Sequence, residues 1–154
     1  MRRALLAFSL LLGPTVSNAL AGQAPTELTR AAETRDRAIQ TGDMVAWAQL
    51  TAAEFTVVDQ TGRLSTRADQ LVQIRSIQGI ELSAQPLIYI DGIRVDDIAE
   101  AGESSACSDL NFVLSPGGMV ATRRCLTRTG MKLEVWTRTS SGWQAIAAQY
   151  SPVS

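Results

Sequence analysis

Histidine is missing altogether from the 154 residues, and cysteine occurs only twice. Without an imidazole the chain has neither the commonest general base nor the Ser–His and Cys–His nucleophile pairs, and it lacks the commonest metal ligand. Cys107 and Cys125 are well separated and make no zinc site by themselves. There is no glycine-rich phosphate loop either, so neither a metal nor a cofactor is expected. Long apolar runs are also missing. The longest, Ala4 to Gly13, is about ten residues against the roughly twenty of a membrane-crossing helix. Basic residues do not exceed acidic ones, 14 against 15, and nothing favours a nucleic-acid partner.

What is present begins with an address. Arg2 and Arg3, the apolar run, the break at Pro14 and the small residues Ser17-Asn18-Ala19-Leu20-Ala21 make the three regions of a secretory signal peptide. Residues 1–21 are therefore expected to be cleaved after Ala21, with Ala19 as the alternative end point, and no cysteine follows to carry a lipid anchor. The protein is expected to be secreted or periplasmic, with no membrane attachment after cleavage. Residues 22–154 then carry 12 basic and 15 acidic residues, a net charge of −3, and are long enough to bury a core as a single domain.

In an oxidising compartment an even cysteine count suggests one bridge. Cys107 and Cys125 flank the turn signal Ser115-Pro116-Gly117-Gly118, and each lies nine residues from Pro116. An odd loop centred on Pro116 sets them opposite each other across a hairpin as a structural disulfide, whereas an even loop spoils the geometry. Two buried free thiols are the alternative.

Along the mature chain, Leu28, Ala31, Ala32, Ala38 and Ile39 recur at helical spacing from Thr26 to Gln40, with Thr26 as cap, Gly42 as stop, and an arginine interrupting the stripe at position 35. Asp43 opens a short helix that turns Met44, Trp47 and Leu50 inward. The period then changes to two. Phe55, Val57 and Asp59 share one face of a strand that ends at the turn Gln60–Arg63. Thr66 to Asp69 resembles a capping box for a third helix with Leu71, Val72 and Ile74 as apolar anchors. Strands are expected near 87–95, 104–114, 119–138 and 143–153, with Gly130 marking a bulge in the longest. Helices first and antiparallel strands afterwards imply an α+β fold, three N-terminal helices packed on one face of a strongly curved sheet.

Two segments carry a resemblance. Ile39 to Asp43 followed by Ala53 to Gly62 is similar to the opening of nuclear transport factor 2-like domains, and Leu133 to Arg138 followed by Ser141 to Ser151 is similar to their last hairpin. The resemblance implies a cone with a cavity at its wide end and a homodimer formed through the exposed sheet face. In the ketosteroid isomerase branch the catalytic base falls at the position of Asp59, and an aspartate against apolar walls has its basicity raised. The alternative is that Asp59 simply bonds its own turn. Arg35 stands where that enzyme has the tyrosine that stabilises the oxyanion. It either pairs with Asp59 around a polar or carboxylate ligand or reaches water at the helix edge. Counting back from Gly142 puts Glu134 at the second oxyanion donor. Counting from Trp136 turns it outward as a solvated strand residue, and the register stays open. Tyr89 and Tyr150 each offer a phenol to the cavity or stand at the core edge, and Trp47, Trp136 and Trp143 are expected to fill the core. Two functions follow: an exported domain that binds a small molecule in its cone without catalysis, or a ketosteroid isomerase or polyketide cyclase-like enzyme with Asp59 as general base.

Overall fold

The computed structural model describes residues 24–77, 89–94, 111–126 and 130–152. The signal segment, Cys107 and the expected strand residues 104–110 lie outside the described residues, as does the side chain of Tyr89. Three helices come first: α1 (Thr26–Thr41), α2 (Met44–Gln49) and, after two strands, α3 (Arg67–Ile77). Gly42, left-handed at φ 68°, ends α1, and the Asp43 carboxylate accepts from the Val45 and Ala46 amides to start α2. The N-cap of α1 is Pro25, with no side-chain bond, so the cap expected from Thr26 is not made. At α3 the capping box is present: the Thr66 amide and hydroxyl both donate to Asp69 Oδ2, at 2.8 and 2.7 Å. Those bonds hold the exposed Asp69 carboxyl below its ordinary pKa. Val72, expected inside, is 64 % exposed, and Leu71 packs against the core.

Strands β1 (Thr51–Val58), β2 (Leu64–Thr66), β5 (Asn111–Leu114), β6 (Val120–Leu126), β7 (Gly130–Thr139) and β8 (Gly142–Pro152) form one curled, open sheet in the order β2-β1-β8-β7-β6-β5. Among the described residues only the β1–β8 pair is parallel. The segment near 87–95 is not one strand but a hairpin, β3 (Tyr89–Ile90) and β4 (Ile93–Arg94), forming a two-stranded sheet of its own. Asp91 and Gly92 both have positive φ, 52° and 81°, as a type I′ turn requires.

Three expectations about the strands need correction. Gly130 opens β7 rather than sitting in a longer strand, and the irregularities lie between Val135 and Trp136 against β8 and between Thr51 and Thr56 of β1. At the first of these β8 carries an extra residue, Ile146, which switches its phase and lets both Ala145 and Ala148 face inward. The β5–β6 loop is even, four residues from Pro116 to Met119 closed by the bond from Ser115 N to Val120 O. The loop is therefore not the odd one expected to set Cys107 opposite Cys125, while Cys125 is not a free thiol.

The concave face and α1 enclose the core. Leu28, Ala32 and Ile39 of α1 meet Phe55, Val57, Trp136, Trp143 and Ala148, with Trp47 from α2 packed edge-on against Phe55. Trp47 and Trp136 are fully buried, and Trp143 is nearly so. Each side chain of this size contributes roughly 1.5–3 kcal/mol by leaving water.

Candidate functional site

The core carries a charged centre. On β7 the inward positions are Lys132, Glu134 and Trp136, and the antiparallel register sets Arg123 of β6 across from Glu134, and Tyr150 of β8 across from Lys132. Above them, Arg35 occupies the apolar stripe of α1, one turn beyond Ala32. The hairpin turn brings Asp91 in from the side. Arg35, Asp91, Arg123 and Glu134 are all 0 % exposed, so Arg35 does not reach water at the helix edge and Glu134 is not a solvated strand residue.

Arg35 donates from Nε to Thr51 Oγ1 at 2.9 Å, from Nη2 to Asp91 Oδ1 at 2.7 Å, and from Nη1 to Asp91 Oδ2 and to Glu134 Oε1, the last at 3.2 Å. Its guanidinium lies 5.1 Å from the Trp47 ring and 5.0 Å from that of Phe55, so aromatic faces surround the charge. Arg123 donates to Glu134 Oε2 at 3.2 Å and to Asp36 Oδ2 at 2.5 Å. Lys132 Nζ lies 2.9 Å from Glu134 Oε1 and 3.7 Å from Asp91 Oδ2. Trp136 Nε1 completes the shell of Glu134 at 3.2 Å. Three cations thus meet three carboxylates, and Asp36, 12 % exposed at its side chain, is the member nearest water.

Burial opposes the ionisation of Arg35, Arg123, Lys132 and Glu134, but their partners outweigh it. Burial alone raises the Glu134 pKa, yet Lys132, Arg123 and Arg35 together hold this carboxyl well below the usual range. Burial likewise works against the charges of Arg35, Arg123 and Lys132, while the neighbouring carboxylates keep all three pKa values above their ordinary positions. Arg35, Arg123, Lys132 and Glu134 are therefore charged at neutral pH. One donor of the cluster, Arg123 Nε, is buried without a hydrogen-bond partner among the described residues.

Asp59 stands apart. It is buried at the end of β1, but its Oδ1 accepts from the Thr61 amide (2.8 Å), the Thr61 hydroxyl (2.6 Å) and the Arg63 amide (3.0 Å). This is the bonding of an aspartate to its own turn. The carboxylate partners of Arg35 are Asp91 and Glu134, not Asp59. Tyr150 is buried, with its phenol over Gly130, where an added Cβ would come within 2.6 Å of the hydroxyl. Cys125 is buried on the inner face of β6.

Sequence reasoning missed Asp91, Lys132, Arg123 and Asp36. Asp91-Gly92 is the standard dipeptide of a tight hairpin and marks the turn that carries Asp91 inward. Arg123 and Lys132 alternate in phase with Ala121, Cys125 and Trp136, which marks them as inward-facing. The outer face of β5, β6 and β7 holds a groove of about 360 Å³ lined by Val113, Thr122, Arg124, Leu126 and Leu133 among others. Among the described residues no helix is long and apolar enough to cross a membrane, and no acidic, cysteine and histidine side chains converge as a metal site.

No protein-family model matches the chain, and no curated protein matches it. Solved structures do. An NTF2-like protein from Cytophaga hutchinsonii superposes with a TM-score of 0.56 at 13 % identity, over 82 % of this chain and 95 % of that one. An NTF2-like protein from Rhodospirillum rubrum, of unknown function in nutrient uptake, gives 0.54 at 22 % identity over 82 % and 98 %. The CamKII hub homology domain of Chlamydamonas reinhardtii gives 0.55 at 12 % identity over 86 % and 100 %. At such identities the likeness concerns the fold alone: the chain has the nuclear transport factor 2-like, α+β cone fold.

Proposed function

We propose that this is an exported, non-catalytic domain that holds a small polar molecule in its cone, over the charged centre of Arg35, Asp91, Arg123, Lys132 and Glu134. The observation that carries this reading is the burial of those charges where apolar side chains would serve stability at least as well. Natural chains depart from the stable solution mainly where function demands it. The isomerase-like alternative is less favoured, because the carboxylate of Asp59 is engaged by Thr61 and Arg63 and pairs with no donor of the charged centre. Tyr150, across from Lys132, offers the ligand a phenol. A thermal-shift screen of acids, sterols and aromatics on export-folded protein tests the reading. At least one class is expected to raise Tm, and a screen without any shift overturns it.

In the same reading the signal peptide is removed after Ala21 and Cys107 pairs with Cys125. Intact-mass measurement of the exported protein, before and after reduction, checks both. The dimer expected from the resemblance uses the outer face, where Val113, Leu126 and Leu133 are 67 %, 57 % and 38 % exposed. Sedimentation at micromolar concentration should give a dimer, and Leu133→Arg a monomer.

A further inference from the structure

Asp91 reaches the interior differently from the rest of the charged centre. It stands at the tip of the β3–β4 hairpin, which belongs to neither edge of the six-stranded sheet. The tip is wedged against β1 and β8: a Cβ on Gly92 would lie 2.8 Å from Tyr150 Cβ and 3.0 Å from the Val58 carbonyl oxygen. The Asp91 amide donates to Gln70 Oε1 on α3 at 2.8 Å. Both carboxylate oxygens meet the fork of Arg35. That bidentate geometry is how arginine recognises carboxylates in general.

We infer that the β3–β4 hairpin is a removable plug whose Asp91 carboxylate occupies, on Arg35, the place taken by the carboxylate of an organic acid ligand. The inference rests on the cone being a ligand site. Withdrawing the hairpin breaks the pairs of Asp91 with Arg35 and Lys132 and the bond to Gln70 and uncovers Ile90, while the hairpin shares no strand pairing with the six-stranded sheet among the described residues. An incoming acid restores the balance of three cations and three carboxylates. A neutral ligand leaves Arg35 with Glu134 as its one remaining carboxylate partner of the two and the cluster one negative charge short, so the site selects acids against the corresponding amides.

The test uses the exported full chain with acetate, propionate and benzoate as probes beside acetamide, propionamide and benzamide. Asp91→Asn removes the competing charge and keeps the turn, since asparagine tolerates positive φ. Its affinity for the acids should exceed that of the unmutated chain by about tenfold to a hundredfold, the worth of a hydrogen bond to a charged group, with the amides unchanged. Acids that bind no tighter, or amides that gain equally, overturn the plug. Should Asp91→Asn fail to fold, Gln70→Ala loosens the turn while leaving every charge in place; acid binding should tighten in the same direction, and no change overturns the inference. The parent reading fails separately, on an unmutated chain that no class in the broad screen shifts. If neutral compounds shift that chain while Asp91→Asn gains no preference for acids, only the plug is lost.

Discussion

Replacing Glu134 by glutamine keeps the shape of the side chain and removes one charge from the centre of the cluster. The carboxylate takes donors from Arg35, Arg123, Lys132 and Trp136 at 2.9–3.2 Å. Glutamine offers a single acceptor oxygen and turns an amide N–H₂ toward the cations, leaving one buried positive charge uncompensated. Breaking a buried pair by removing one partner costs about 3–5 kcal/mol, a large share of the roughly 5–15 kcal/mol that stabilises a domain of this kind. Tm should fall by roughly 10–20 °C. Urea unfolding followed by circular dichroism measures the loss, with an unchanged slope showing that the folded state is otherwise intact. Lys132→Met in the Glu134→Gln background restores the charge balance. The double variant should therefore be more stable than the two single losses add up to, by at least about 1 kcal/mol. A Glu134→Gln loss under about 1 kcal/mol with an unchanged slope, or strict additivity in the double variant, would refute the claim that the cluster is one coupled unit.

Acid should act on the same residue. The Glu134 pKa is depressed in the folded state, so its contribution is fully present above the unfolded carboxyl pKa of about 4.3 and is lost as pH falls below it. Stability measured from pH 7 to pH 3 should drop less steeply in Glu134→Gln. For Lys132 the sign is reversed: its raised pKa stabilises below about pH 10.4, and that contribution disappears at higher pH. Gly92→Ala forces a Cβ against Tyr150 and Val58 O at positive φ, and thermal melts should show a loss of about 1–3 kcal/mol. Asp59→Asn keeps the Oδ1 acceptor and should leave Tm nearly unchanged, while Asp59→Ala strips three bonds from the turn and should cost about 1–3 kcal/mol. Equal losses in the two Asp59 variants would show that the charge, not the turn, is what matters.

The helices were legible because their signals are local. The Asp43 cap, the Gly42 stop and the Thr66–Asp69 box are all written within four residues of where they act. The alternation that faces Phe55, Val57 and Asp59 inward is equally local, and so is the turn that holds the Asp59 carboxylate. Glu134 was illegible for the opposite reason. Its direction depends on the exact length of the turn at Ser140–Ser141, whose Ser-Ser-Gly marks the place but not the count, and on the phase change at Ile146, which has no marker in the composition. Arg35 announced itself as a break in an apolar stripe, but its partners lie 56 and 99 residues away.

By itself, then, the sequence determined the absence of imidazole chemistry, the order of helices before strands and the inward stripe on which Arg35 sits. These follow from residue identity and from the periods of 3.6 and 2. Only the tertiary structure decided that Arg35, Asp91, Arg123, Lys132 and Glu134 form one buried cluster. Such a cluster needs a helix, a hairpin and two sheet strands brought into register together, and the energy that favours their charges exists only once they are out of water and side by side.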